Sequence, residues 1–230
     1  GCVINDITDR HIDGNVSRTK QRPLITGSVS TRQAYCLFSF LSACAFILVL
    51  MLNPQTQLMA VVGFAITCIY PFLKRITHLP QCLLSVAFSW GIPMAFTATS
   101  QHIPGYAWLL MFATALWIIM YDTQYAMVDR ADDLIIGVKS TAILFGQYDK
   151  LIIALLQISV IGLLTWVGIL RHLGTIYIAS LIMSAALFIY QQYLIINRIP
   201  QQCLRAFLNN QWVGFVIFIG LYFSFPVPIL

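Results

Sequence analysis

Seven apolar runs, at about 34–52, 56–73, 79–99, 104–121, 151–170, 175–196 and 209–230, make up most of this 230-residue chain. Each is roughly 17–22 residues long, enough for a helix to cross about 30 Å of hydrocarbon. The runs lack the period-two alternation of membrane-spanning strands. The fold class is therefore all-α, a polytopic transmembrane helix bundle. Composition agrees, with 59% of residues hydrophobic and 9% charged, against about 25% charged in soluble domains. Lipid must be the solvent for most of the chain. Gly1 lies inside a polar stretch with no secretory signal pattern, and the chain is expected to be an N-terminally incomplete part of one transmembrane domain, 1–230.

The segments between the runs alternate between long charged ones and short neutral ones. Of the 13 Lys and Arg, all but Arg171 fall in residues 1–33, 74–78, 122–150 and 197–208. Such a bias sets these segments on the cytoplasmic side. The eight acidic residues are all Asp and lie on that same side. Positive-inside biogenesis does not call for carboxylates there, so they need another reason.

Two motifs hold most of them. The first reads N-D-I-T-D-R-H-I-D from Asn5 to Asp13. If it is helical, Asn5, Asp6, Asp9 and Asp13 share one face about 100° wide. The second reads Y-D-T-Q-Y-A-M-V-D-R-A-D-D from Tyr121 to Asp133, and sets Asp122, Tyr125, Asp129, Asp132 and Asp133 on a similar face. Both contain D-R-x-x-D, a weak internal repeat that suggests two equivalent half-sites. Like charges at i, i+4 destabilise a helix, and such faces persist where a cation neutralises them. Hard carboxylate oxygens suit Mg²⁺, which shares its shell with substrate phosphates. The candidate metal ligands are Asn5, Asp6, Asp9, Asp13, Asp122, Asp129, Asp132 and Asp133. The plainer alternative is that these Asp solvate loops or pair with neighbouring Arg.

Basic residues beside the motifs favour a phosphate. Arg18 and Arg22 follow Asp13, Lys74 and Arg75 close the Y-P-F-L-K-R stretch, and Lys139 and Ser140 follow Asp133. Cations and hydroxyls there are candidate diphosphate contacts. Arg32, Lys150, Arg198 and Arg205 read as ordinary interfacial anchors. Tyr125 shares the face of the second cluster, where its ring can shield a cation or its hydroxyl bind phosphate. The six Cys and four His show no C-x-x-C pair and no i, i+4 His pair, and carry no disulfide or zinc reading.

N-D-x-x-D-x-x-x-D followed by R-T-x-x-R-P at Arg18–Pro23, D-T-x-Y-A-x-x-D-x-x-D-D at Asp122–Asp133 running into G-x-K-S-T at Gly137–Thr141, and Y-P-x-x-K-R at Tyr70–Arg75 together resemble the UbiA superfamily of membrane prenyltransferases. T-H-L-P-Q at Thr77–Gln81 and F-L-N-N-Q-W-V-G at Phe207–Gly214 are similar to its bacterial branch that prenylates 4-hydroxybenzoate. Ser85 stands where the family pattern L-G-x-x-F has Gly, and is still small enough for close helix packing.

The resemblance implies nine membrane helices, of which this chain would hold the last seven and the cytoplasmic end of the second. It implies an inner-membrane enzyme with its active site facing the cytoplasm. That enzyme would use Mg²⁺ to transfer a polyprenyl group from polyprenyl diphosphate to carbon 3 of 4-hydroxybenzoate, in ubiquinone synthesis. Asp9, Asp13, Asp129, Asp133 and Tyr125 would be its catalytic residues. Expected partners are the diphosphate, the aromatic acid and membrane lipid, and not nucleic acid. Alternatives are a relative acting on naphthoate, homogentisate or haem, and, from a different class, a divalent-cation transporter.

Overall fold

The computed structural model describes residues 1–11, 13–16 and 18–224, with Asn15, Lys74 and Arg75 placed by their backbone alone. Residues 225–230 of the expected last run lie outside the described residues. Two short helices, α1 (Cys2–Asp9) and α2 (Pro23–Thr26), precede the long ones. Then come α3 (Thr31–Leu50), α4 (Pro54–Ile69) with a 3₁₀ extension over Tyr70–Arg75, α5 (Pro80–Ser89), α6 (Gly91–Ser100) and α7 (Gly105–Ile136). The chain continues through α8 (Thr141–Phe145), α9 (Asp149–Leu170), α10 (Thr175–Ile195) and α11 (Pro200–Ser224). Among the described residues these give seven helical spans long and apolar enough to cross a membrane, with α5–α6 forming one span and α8–α9 another.

The helix ends follow from local chemistry. Ser30 caps α3 in a reciprocal box, its Oγ accepting from Gln33 N at 3.3 Å while Ser30 N donates to Gln33 Oε1 at 2.8 Å. Asn53 accepts from Thr56 N at 3.0 Å to cap α4, and Pro54 occupies the first turn, where no amide proton is needed. Pro93 lies just past the α5–α6 junction at Trp90, where its missing N–H interrupts the helical ladder.

Two spans and the first acidic motif depart from the expected layout. The second acidic motif is not a loop after the fourth span but a continuation of it, since α7 runs 32 residues to Ile136. Its polar residues still fit a helix, because a helix emerging from lipid keeps its own hydrogen bonds whatever solvent surrounds it. The last span starts at Pro200 rather than 209. In the first motif the opposite happens: α1 ends at Asp9, and Asp13 opens a separate 3₁₀ turn. The single helical face through Asn5, Asp6, Asp9 and Asp13 is therefore not formed. Breaking the helix avoids stacking Asp9 and Asp13 one turn apart.

The core lies among α7, α9, α10 and α11, where Met120, Ile153, Val160, Ile195 and Val213 are fully buried. A Cβ on Gly220 of α11 would collide with the Ser180 side chain of α10, so glycine is what lets these two helices approach so closely. Buried amides knit the same four helices. Gln124 donates to Gln191 Oε1 at 3.1 Å, Gln157 donates to the same oxygen at 3.1 Å, and Asn210 donates to Gln124 Oε1 at 3.0 Å. In contrast α3 buries only Ala34.

Candidate active site at the charged end of the bundle

The connections at 51–53, 101–104 and 171–174 lie at one end of the bundle, and both acidic motifs lie at the other. The first motif folds back on itself there. Thr19 Oγ1 donates to Asp13 O at 2.8 Å and Val16 N to the same carbonyl at 3.4 Å. This turn returns Arg22 to the motif, where its Nη1 donates to Asp13 Oδ2 at 2.7 Å and Asp6 Oδ1 at 2.8 Å. Asp9 and Asp13 are buried, at 4% and 6% exposure. Burial pushes the Asp13 carboxyl above its ordinary 3.8, Arg22 opposes this, and the nearby Asp9 charge adds to it.

Arg18 crosses to the second motif. Its Nη2 donates to Asp129 Oδ2 at 2.6 Å and its Nε to Asp129 Oδ1 at 3.1 Å. The same guanidinium lies 4.4 Å over the Tyr125 ring. Tyr125 is backed by Phe207 at 4.7 Å, which also meets Tyr121 edge-on at 5.9 Å. One helical ridge of α7, at Trp117, Tyr121, Tyr125 and Asp129, thus runs from lipid depth to the carboxylate at i, i+4 spacing. Trp117 is fixed by donating to Asn210 Oδ1 at 2.9 Å, which joins the amide network to this wall. Tyr70 stands between the motifs, its hydroxyl 3.4 Å from Asn5 Oδ1 and within electrostatic reach of Asp6, Asp9 and Asp122.

A third element closes the site. Gly137, at φ 80°, ends α7 just after Asp133, with Val138 N donating to Asp133 O at 3.0 Å; only glycine enters this left-handed conformation without strain. Lys139 Nζ then reaches Ile76 O at 3.0 Å, beside the Y-P-F-L-K-R turn. The Ser140 hydroxyl caps α8, accepting from Ile143 N at 3.4 Å. Thr141 Oγ1 and Thr123 Oγ1 lie 2.8 Å apart, fastening the G-x-K-S-T loop to α7. The side chains of Lys74 and Arg75 lie outside the described residues; their backbone is in the turn Lys139 approaches.

Of the residues expected at the site, the fold gathers Asn5, Asp6, Asp13, Arg18, Arg22, Asp129 and Tyr125 through hydrogen bonds, ion pairs and the Arg18–Tyr125 contact. Asp9 lies within electrostatic reach of Asp13, and Asp132 and Asp133 are on the same end of α7. The donor set, carboxylate and amide oxygens without His or Cys, fits a hard divalent cation. The mutual charge of Asp9 and Asp13 is a cost that such a cation relieves. Among the described residues, however, no three His, Cys, Asp or Glu converge at metal-ligand spacing. Arg18 and Arg22 hold the carboxylates instead. Arg198, read as an anchor, forks onto the fully buried Asp149 at 2.7 Å, and Lys150 Nζ donates to Ile196 O at 3.0 Å. Both serve packing as much as the interface. Sequence reasoning missed the roles of Tyr70, Phe207 and Asn210. The run of amides Asn209–Gln211 inside an apolar segment was their available signal, since polar groups in a membrane helix need a reason.

Residues 1–221 match the profile of the UbiA prenyltransferase family. This chain belongs to that family. Proteins named 4-hydroxybenzoate octaprenyltransferase from Providencia stuartii and Citrobacter koseri are 55% and 52% identical to it, each match covering 98% of this chain and 78% of that protein. The apo structure of a UbiA homologue from Aeropyrum pernix K1 superposes with a TM-score of 0.84 at 27% identity, covering 97% of this chain and 83% of that one. A UbiA homologue from Archaeoglobus fulgidus, bound to GPP and Mg²⁺, shares the fold with a TM-score of 0.67 at 18% identity, over 96% of this chain and 81% of that one. Family membership agrees with the multi-pass helical architecture and with the two acidic motifs.

Proposed function

We propose that this chain transfers a polyprenyl group from polyprenyl diphosphate to carbon 3 of 4-hydroxybenzoate, with Mg²⁺ as the cofactor and the site facing the cytoplasm of a bacterial inner membrane. The observation that carries the reading is the convergence of two acidic motifs at one end of an apolar bundle, with Arg18, just past the first, forked onto Asp129 of the second. The names of its 52–55% identical relatives support the acceptor and a donor of the octaprenyl class.

Asp9, Asp13, Asp129 and Asp133 are the proposed holders of Mg²⁺, with Asn5, Asp6, Asp122 and Asp132 around them. When bound, Mg²⁺ supplies positive charge to the diphosphate oxygens. Arg18, Arg22 and Lys139 then exchange their protein oxygens for phosphate oxygens, joined by Lys74 and Arg75. As the C–O bond breaks, the diphosphate leaves with the electron pair and the basic residues stabilise it. The Tyr125 ring, supported by Phe207, faces the allylic cation with its negative π-surface. The phenol ring attacks from the carbon ortho to its hydroxyl, a C–C bond forms, and loss of the ring proton restores aromaticity. The apolar bundle keeps out water that would otherwise capture the cation.

Purified protein in lipid nanodiscs, given octaprenyl diphosphate, Mg²⁺ and a panel of aromatic acids, is expected to release diphosphate and prenylate 4-hydroxybenzoate. Product with another acceptor and none with 4-hydroxybenzoate refutes the acceptor. Transport of divalent cations without diphosphate release refutes the enzyme class.

A further inference from the structure

Behind the second acidic motif lies a buried cluster that the reaction as described does not use. Asp149, the first residue of α9, has no exposed surface. It accepts from Arg130 Nη2 at 2.6 Å, from Arg198 Nε at 2.9 Å and Nη2 at 2.7 Å, and from Lys150 N at 2.7 Å. A carboxylate this buried persists only when its charge is paired and its lone pairs are filled, as they are here.

Two features separate this cluster from an ordinary staple. Arg130 is itself part of the second motif, next to Asp129 and three residues before Asp133. Besides Asp149 it grips the carbonyl of Ala142, in the helix that follows Lys139 and Ser140. Arg198 has φ 54°, in the left-handed region where glycine or asparagine is the usual occupant of a turn. Strain of this kind persists where surrounding contacts overdetermine it. Here the contacts are the fork onto Asp149 and a bond from Arg198 Nη2 to Gln147 O at 2.9 Å. Lys150 Nζ ties the same α10–α11 turn from the other side through Ile196 O. The last turns of α7, also held by Arg18 on Asp129, are thereby tied to the first turn of α9 and to the turn between α10 and α11.

We propose that Arg198 and Asp149, acting through Arg130, are positioning residues that set how Asp129 and Asp133 face the metal–diphosphate. The inference rests on the prenyltransferase reading above. Arg198→Gly removes the fork and at the same time relieves the backbone strain, so the variant is expected to fold. Asp149→Asn keeps the shape and removes the charge, and Arg198→Lys keeps the charge without the fork.

The test compares these proteins in nanodiscs by thermal midpoint, by calorimetric titration of Mg²⁺ in the presence of inorganic diphosphate, and by the Mg²⁺ dependence of kcat. Arg198→Gly should lower the midpoint only partly, since Arg130 and Lys150 N still pair Asp149, and bind Mg²⁺ about tenfold more weakly, within the range for residues that orient metal ligands. The Mg²⁺ concentration for half-maximal turnover should rise in step, with KM for 4-hydroxybenzoate unchanged. Asp149→Asn should shift the same quantities further, and Arg198→Lys should recover part of the loss. Folded variants with wild-type Mg²⁺ affinity overturn the inference. So does a lowered midpoint with unchanged Mg²⁺ affinity, which would make the cluster a staple alone. Failure of the underlying reading shows in the wild type itself, as no Mg²⁺ binding with diphosphate and no diphosphate release, and overturns this inference with it.

Discussion

Arg18 forks onto Asp129 across the gap between the two acidic motifs, with Nη2 2.6 Å from Oδ2 and Nε 3.1 Å from Oδ1, while its guanidinium covers the Tyr125 ring at 4.4 Å. The pair spans 111 positions of sequence and unites both halves of the site. The pair neutralises charge where the proposed metal–diphosphate would bind. Lysine keeps the charge and loses the planar fork. Arg18→Lys is expected to lower kcat/KM for the prenyl donor roughly tenfold, about 1.4 kcal/mol, and to leave the KM of the aromatic acid unchanged. Ligand-free stability should hardly move, because Arg18 is 30% exposed and solvent screens the pair. Steady-state kinetics with each substrate varied in turn reads both effects, and a wild-type donor profile removes Arg18 from the diphosphate contacts.

The two carboxylate half-sites are expected to be needed together. Asp9→Ala and Asp129→Ala should each lower turnover by roughly 100-fold or more, the scale of lost metal-site residues, while the protein still inserts and purifies. Diphosphate release at saturating donor is the measurement. Either variant retaining wild-type turnover at ordinary Mg²⁺ rules out a shared metal site.

Asp13 supplies a pH signature. Burial and the Asp9 charge raise its folded-state pKa above 3.8, so the folded protein prefers it protonated. The stabilisation from this group is full below the unfolded value and is lost as pH rises through the raised folded value. Above that raised value the folded protein holds an ionised carboxylate that burial has partly stripped of water. Asp13→Asn is expected to lose turnover yet match or exceed wild-type thermal stability without metal, the gap closing as pH falls towards 4. Thermal midpoints of metal-free protein across pH 4–8 test this, and a variant less stable than wild type at pH 7 contradicts it.

The amide network is expected to matter for stability more than its size suggests. Gln191→Leu removes the acceptor shared by Gln124 and Gln157 and the donor to Asn209 Oδ1. Interhelical hydrogen bonds in membranes contribute about 0.6–2 kcal/mol each. The expected loss is about 1–3 kcal/mol, because Gln124 and Gln157 lose their shared oxygen acceptor at once and Gln157 keeps only the weak Met120 sulfur. Reversible unfolding in mixed micelles measures it, and a neutral result means the amides find new partners.

Topology has a direct test. In a background free of Cys2, Cys36, Cys44, Cys68, Cys82 and Cys203, single cysteines at the exposed positions Lys20 and Gln147 should label from the cytoplasmic side. A cysteine at His102, also exposed, should label only from the opposite side. Labelling of Lys20→Cys and His102→Cys from one side would show that a span is miscounted.

The sequence by itself determined the class of fold, the seven spans found among the described residues and the end of the bundle at which the acidic motifs and most basic residues gather. These follow from local quantities: the length of each apolar run, the absence of period-two alternation, and the confinement of all eight Asp to alternate connections. Only the tertiary structure decided how the motifs end and meet. A helical reading of Asn5–Asp13 fails because Arg22, returning from nine residues on, offers Asp13 a better partner than another turn of helix stacked on Asp9. The extension of α7 to Ile136 depends on Thr141, Ala142 and Asp149 holding its far end. Arg198 looked like any interfacial arginine because a positive charge near lipid has one local explanation and many tertiary ones. Its partner, Asp149, lies 49 positions away, and no periodicity within a single helix connects the two.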